Sequence, residues 1–235
     1  MNRLWRVAGG LFLAHVILLL AGYSQMRVPV FDATSDDIVR TYTGVPTARM
    51  YLGGYVGILA WLALLAAVTL LARLLRGGTE GTGWLAGLVA TAGVAATAVT
   101  AVAFVTTGAA YYAATHGYAA DVVATVSTVS KFADLVAMSV LGLCAVAVGA
   151  AGLAGRTLPR WIAVVSLLVG IVGIASGAYQ GLLDVGNLLW LAYLVLFSVV
   201  LLRGPARRGS VPASTPTSAP ASAGEPERAV AVQAS

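Results

Sequence analysis

The chain has 235 residues, of which 59% are hydrophobic types and only 10% are charged, and its mean hydropathy is +0.89. A soluble domain carries about 25% charged residues, so an ordinary water-soluble domain, a disordered chain and a collagen-like chain are all excluded. The formal net charge is +5 and there is one cysteine, Cys144, so neither an intramolecular disulfide nor a cysteine-based metal centre can form.

The positive excess is nearly all arginine, 13 Arg against the single Lys131, in a chain rich in Ala, Gly and Val with only two Asn. That bias is expected of a GC-rich bacterial genome. It says nothing of nucleic acid, and no nucleic-acid partner is expected. The apolar residues fall into six runs, at about 7–23, 51–75, 84–107, 135–153, 161–179 and 185–202. Each reaches or approaches the roughly 20 residues a helix needs to cross about 30 Å of hydrocarbon. Backbone groups cannot go unpaired in lipid and no strand-like alternation is present, so the expected fold is all-α, a polytopic bundle of six transmembrane helices spanning residues 1–203.

The first span follows a basic start, Arg3 and Arg6. Its outer end, Ala21-Gly22-Tyr23, makes a poor cleavage site, so it is expected to stay uncleaved. His15 lies at its centre, with Ala8 and Gly22 a heptad away on the same face. A polar group at that depth is costly and is a functional candidate by default. Two readings stand: a proton-relay or gating residue, or an imidazole bonded to a hydroxyl or backbone carbonyl of a neighbouring helix.

The first connection, 24–50, is as long as any. Thr34-x-x-Asp37 has capping-box character, with Ile38, Val39 and Tyr42 following at helical spacing. These predict a short amphipathic helix over Ser35–Thr43, lying on the membrane or over the bundle. The next loop, 77–83, is glycine-rich but lacks the Lys-Ser/Thr ending of a phosphate-binding loop. In the third span Gly83, Gly87, Thr91 and Ala95 form an i, i+4 row, and in the fifth Ser166, Gly170, Gly173, Gly177 and Gln180 share a face. Such rows let helix backbones approach closely.

Between the third and fourth spans, Asp121, Thr125 and Thr128 share a helical face, and Lys131 and Asp134 form an i, i+3 opposite-charge pair. A helix beginning near Ala119 is predicted to carry the fourth span beyond the lipid. Two short echoes, Trp61-Leu62-Ala63 with Trp190-Leu191-Ala192 and Gly22-Tyr23-Ser24-Gln25 with Gly177-Ala178-Tyr179-Gln180, hint at a duplicated hairpin. Residues 204–235, rich in Pro, Ser, Thr and Ala, are expected to be a disordered tail.

Arginine sets the expected orientation. With the N-terminus inside, ten of the fourteen basic residues fall on the cytoplasmic side, giving a balance of +7 there and −2 outside. Both termini are thus expected in the cytoplasm of a cell whose inner membrane holds the protein. Trp5, Trp84 and Trp161 then mark inner ends, and Tyr23, Tyr51, Tyr55, Tyr111, Tyr112, Tyr118 and Tyr179 gather at outer ends. They read as an interfacial belt or as an aromatic-lined mouth.

No H-E-x-x-H, C-x-x-C, G-x-S-x-G or dense carboxylate cluster occurs. No cofactor is expected, and a haem or metal at His15 lacks partners, since the only other histidine, His116, belongs to a connection. The polar candidates gather on the outer side: Asp184, Gln180, Asp121, His116, Lys131 and Asp134, with Asp32, Asp36, Asp37 and Arg40 of the first loop. They line a pocket or form a solvated face with ordinary ion pairs.

Six spans, an acidic helix-forming first outer loop, Leu158-Pro159-Arg160-Trp161 entering the fifth span and a short basic end to the sixth form a pattern. Over residues 3–203 it resembles uncharacterised six-span membrane proteins common in actinobacteria. The resemblance implies architecture and bacterial origin, with no catalytic residue to carry over. The expected function is a non-enzymatic membrane component binding a partner or small ligand at its outer face; the expected partners are the lipid bilayer and either a second copy in a homo-oligomer or another membrane protein. The alternatives are a small transporter or proton-coupled permease using His15, and a membrane-embedded enzyme acting on a lipid-linked substrate.

Overall fold

The computed structural model describes residues 2–77 and 82–204; Glu80 and the expected disordered tail beyond Gly204 lie outside the described residues. The order is α1 (Asn2–Tyr23), α2 (Ser35–Thr43), α3 (Thr47–Arg76), α4 (Gly83–Thr115), α5 (Ala120–Gly155), α6 (Arg160–Ala178) and α7 (Leu183–Arg203). A 3-10 turn, Gln180–Leu182, leads into α7. No strand occurs among the described residues. All except α2 are long and apolar enough to cross a membrane, as the six apolar runs predict.

Several helices outrun their apolar runs. The longest, α5, has 36 residues, about 54 Å at about 1.5 Å per residue, against about 30 Å of hydrocarbon. Its start at Ala120 matches the helix predicted near Ala119. The surplus makes a stalk, and α2 rests on it.

The bounds of α2 are those its capping signal predicts. The Thr34 hydroxyl accepts from the Asp37 backbone N–H at 3.3 Å and donates to the Asp37 carboxylate at 2.8 Å, satisfying one of the free donors of the first turn. Ile38 and Tyr42, four residues apart, are buried against α4 and α5. The helix therefore lies over the bundle. Its polar face carries the Asp37–Arg40 ion pair, 3.1 Å long and exposed. Burial pushes the Tyr42 phenol above its ordinary range, a shift that the Ser127 hydroxyl moderates and the charge of Asp134 reinforces.

The six long helices close into a ring. α1 packs on α3, α3 on α4, α4 on α5, α5 on α6, α6 on α7, and α7 back on α1. α5 also touches α3 and α7, and it is the most deeply buried of the six long helices. The ring is solid at the end that carries Arg73, Arg76, Arg156, Arg160 and Arg203. There Trp5, Phe12, Leu71, Leu141, Val148 and Phe197 fill the axis. The opposite end carries α2 and a second, smaller core built on Ile38, Tyr42, Met50, Tyr111 and Val123.

Glycine sets the closest crossings. A Cβ at Gly142 would stand 2.6 Å from both the Gly170 carbonyl oxygen and the Ile174 nitrogen, and one at Gly22 would stand 2.9 Å from the Gly53 oxygen. Backbone therefore meets backbone between α5 and α6 and between α1 and α3, as small-residue faces allow in membranes. The fifth-span row, Gly170, Gly173 and Gly177, packs in this way. The third-span row does not: Gly83 and Gly87 have nothing within 4 Å of a Cβ position, because that face of α4 turns away from the ring.

Candidate functional site

The hollow end of the ring holds a cavity of about 500 Å³, within the range of small-molecule sites. Its walls come from α1, the segment after α1, α3, α4, α5 and α7, with α6 excluded. Helical rise orders the lining by depth. On α5 it runs from Lys131 and Asp134 down to Met138 and Leu141; on α7 it runs from Asp184 and Asn187 down to Trp190 and Leu191. Trp61 on α3 and Thr100 on α4 stand at the deep end. The mouth is charged, and the body is aliphatic and aromatic.

A strap crosses this mouth. Met26, Val28, Pro29 and Phe31, between α1 and α2, all line the cavity. Lys131 holds the strap in place. Its ammonium donates to the Val30 carbonyl at 2.7 Å and to the Phe31 carbonyl at 3.1 Å, and it stands 5.5 Å from the Phe31 ring centre. Phe31 in turn packs edge-to-face on Phe132, centroids 5.9 Å apart. The i, i+3 spacing of Lys131 and Asp134 predicts an ion pair; the flexible lysine stem instead carries the charge to loop carbonyls about 100 residues earlier in sequence.

Most hydroxyls in the lining are already satisfied. Thr107 and Ser130 share a hydrogen bond of 2.6 Å, Ser130 donates to the Ala103 carbonyl at 3.0 Å, and Thr100 donates to the Ala96 carbonyl at 2.9 Å. Asp134, Asp184 and Asn187 line the cavity with no protein hydrogen-bond partner among the described residues. Asp184 also sits in the first turn of α7, where the helix dipole favours a negative charge.

The structure brings together three of the sequence-derived candidates, Lys131, Asp134 and Asp184, and separates the others. Asp121 is exposed in the first turn of α5, on the outside. His116 caps α4 and stacks on Tyr112, ring centres 3.8 Å apart, away from the cavity. The backbone of Gln180 forms the turn before α7, while its side chain lies outside the described residues. His15 is fully buried. Its Nδ1 donates to the Ala60 carbonyl at 2.8 Å, which leaves Nε2 as an acceptor with no partner among the described residues.

Two features escape residue-by-residue reading. Trp61 and Trp190, the two tryptophans of the Trp-Leu-Ala echo, both reach the cavity. The indole N–H of each is buried without an acceptor among the described residues. Trp61 also meets the His15 ring edge-on at 5.3 Å, so the cavity ends one side chain short of that imidazole. The tyrosine cluster divides as well. Tyr23 lines the mouth, and Tyr51, Tyr55, Tyr112, Tyr118 and Tyr179 are exposed. Tyr111 is buried, because its hydroxyl donates to the Val45 carbonyl at 3.1 Å and to Thr47 at 3.0 Å, tying α4 to the start of α3.

Below the cavity floor a residual void of about 20 Å³ is lined by Phe12, Leu64, Cys144, Tyr193 and Phe197 among others, with no polar surface. Apolar voids of this kind stay dry. No group of three potential metal ligands occurs among the described residues. No family model, no curated protein and no solved structure matches the chain.

Proposed function

We propose that this multi-pass membrane protein binds a small amphipathic molecule in the cavity at its α2 end, and that this end faces outward. The cavity carries the reading: about 500 Å³, open at a charged mouth and apolar toward the middle of the bundle. The orientation rests on arginine placement, since Arg73, Arg76, Arg156, Arg160 and Arg203 all lie at the other end. The role is binding, not conduction. The half of the ring beneath the cavity is packed with Phe12, Leu141, Phe197 and their neighbours, and the void there is apolar. A permease working through His15 needs water at that imidazole, which has no exposed surface and is bonded to a backbone carbonyl.

The test fills the cavity. Ala137 is a small lining residue on α5; Ala137→Phe places a ring where the ligand would lie. In nanodiscs, an environment-sensitive amphiphilic dye should bind the unaltered chain saturably, and Ala137→Phe should remove that binding while the protein stays folded and monodisperse. Equal saturable binding by both would refute the reading.

A further inference from the structure

We infer that the ligand is a cationic amphiphile, an ammonium group on an apolar body, with its head at Asp134 and Asp184. This rests on the binding reading above and adds the chemistry of the guest. An ionised carboxylate can only accept hydrogen bonds. Asp134 and Asp184 line the mouth and take no hydrogen bond from any described residue. The one ammonium in the lining, Lys131, is committed elsewhere: it is buried, bonded to two strap carbonyls, and set near the charge of Asp32.

The mouth thus presents two open carboxylates beside the neutral Asn187 amide, and the one cation in the lining is already engaged. An anionic head would meet both carboxylates with no free cation to receive it. An ammonium beside either carboxylate would gain a charge-assisted bond, among the stronger hydrogen bonds proteins make. Behind the head, Leu19, Met138, Leu141 and Leu191 offer apolar contact along the wall. A hydrocarbon body gains by entering, and a bare cation does not. Tyr23 at the mouth adds an aromatic face of the kind that attracts cations.

The experiment uses the full chain in zwitterionic lipid nanodiscs, with empty discs subtracted. Binding of a primary alkylammonium, the alkanol and the alkyl sulfate of the same chain length, and methylammonium alone, is followed by tryptophan emission and calorimetry. The alkylammonium should bind about tenfold or more tighter than the alkanol, equivalent to one charge-assisted contact, and the sulfate should bind least. Asp134→Asn should bring the alkylammonium affinity down to that of the alkanol measured in the same variant. Asp184→Asn, at an exposed position that leaves folding intact, should reduce it. Equal binding of alkylammonium and alkanol, or an undiminished preference in both Asn variants, would overturn the assignment of charge. Methylammonium binding as tightly as the alkylammonium would overturn the apolar body. Loss of every probe in Ala137→Phe together with an alkanol-like response in Asp134→Asn supports both readings. Retention of every probe in Ala137→Phe removes the cavity itself.

Discussion

Replacing Lys131 with methionine should release the strap while leaving the helices in place. Methionine keeps the length and apolar stem of lysine and removes the charge. It costs two hydrogen bonds, 2.7 Å to the Val30 carbonyl and 3.1 Å to the Phe31 carbonyl. Bonds to charged groups contribute about 1.5–3 kcal/mol each. Part of that is offset when the strap opens, because its carbonyls and the ammonium regain water. The net loss for the strap is therefore about 1.5–3 kcal/mol, or roughly a 10–150-fold shift in its opening equilibrium. The edge-to-face contact of Phe31 and Phe132 at 5.9 Å remains, so the strap loosens without being lost. Hydrogen exchange followed by mass spectrometry in nanodiscs reads this directly. The peptide covering residues 25–33 should lose protection by that factor, and peptides within α3 and α7 should not change. Protection of 25–33 altered by less than about threefold would show that aromatic packing, and not the ammonium, holds the strap.

Three further outcomes follow from the geometry. Gly142→Ala forces a methyl group to within 2.6 Å of backbone on α6 and should cost about 1–3 kcal/mol. Gly87→Ala enters open space and should stabilise by about 0.5–1 kcal/mol through helix propensity; equal thermal shifts for the two in detergent would contradict the packing. Trp61→Phe removes a buried N–H that has no acceptor among the described residues and keeps an aromatic ring against His15. It should be neutral or stabilising in melting temperature, and a loss of more than about 2 kcal/mol would reveal a partner for that N–H. Orientation is readable with cysteine, because the native Cys144 is buried and silent. Arg40→Cys, exposed on α2, should react with an impermeant maleimide in intact cells, and labelling only after permeabilisation would invert the topology.

The helices were legible because lipid leaves the backbone no alternative and because hydropathy counts residues well. α2 was legible for a local reason. Thr34 and Asp37 begin it, and Ile38 and Tyr42 give it one buried face. The charged mouth of the cavity was legible as one reading of the outer polar residues, and its apolar walls were not. Every face of a membrane helix is apolar, so periodicity cannot separate a wall that meets a neighbour from one that meets lipid. Gly87 and Gly142 look alike in sequence, yet one faces open space and the other faces backbone. Tyr111 reads as another belt tyrosine until the Val45 carbonyl is found beside its hydroxyl. Lys131 reads as the partner of Asp134 because spacing sees only neighbours on one helix, and its true acceptors belong to another segment. The repeated Trp-Leu-Ala was a second written trace of the site beside Lys131, Asp134 and Asp184, since both of its tryptophans stand in the cavity wall.

A bundle hollow at one end and filled at the other behaves as a cup with a single rim. A guest bound there as proposed would equilibrate with one compartment only, so its occupancy would track its chemical potential on the α2 side. Any gradient to the far side does no work on the exchange. Such a vessel can report or retain what it holds. To move its contents across, the plug of Phe12, Leu141 and Phe197 would have to come apart.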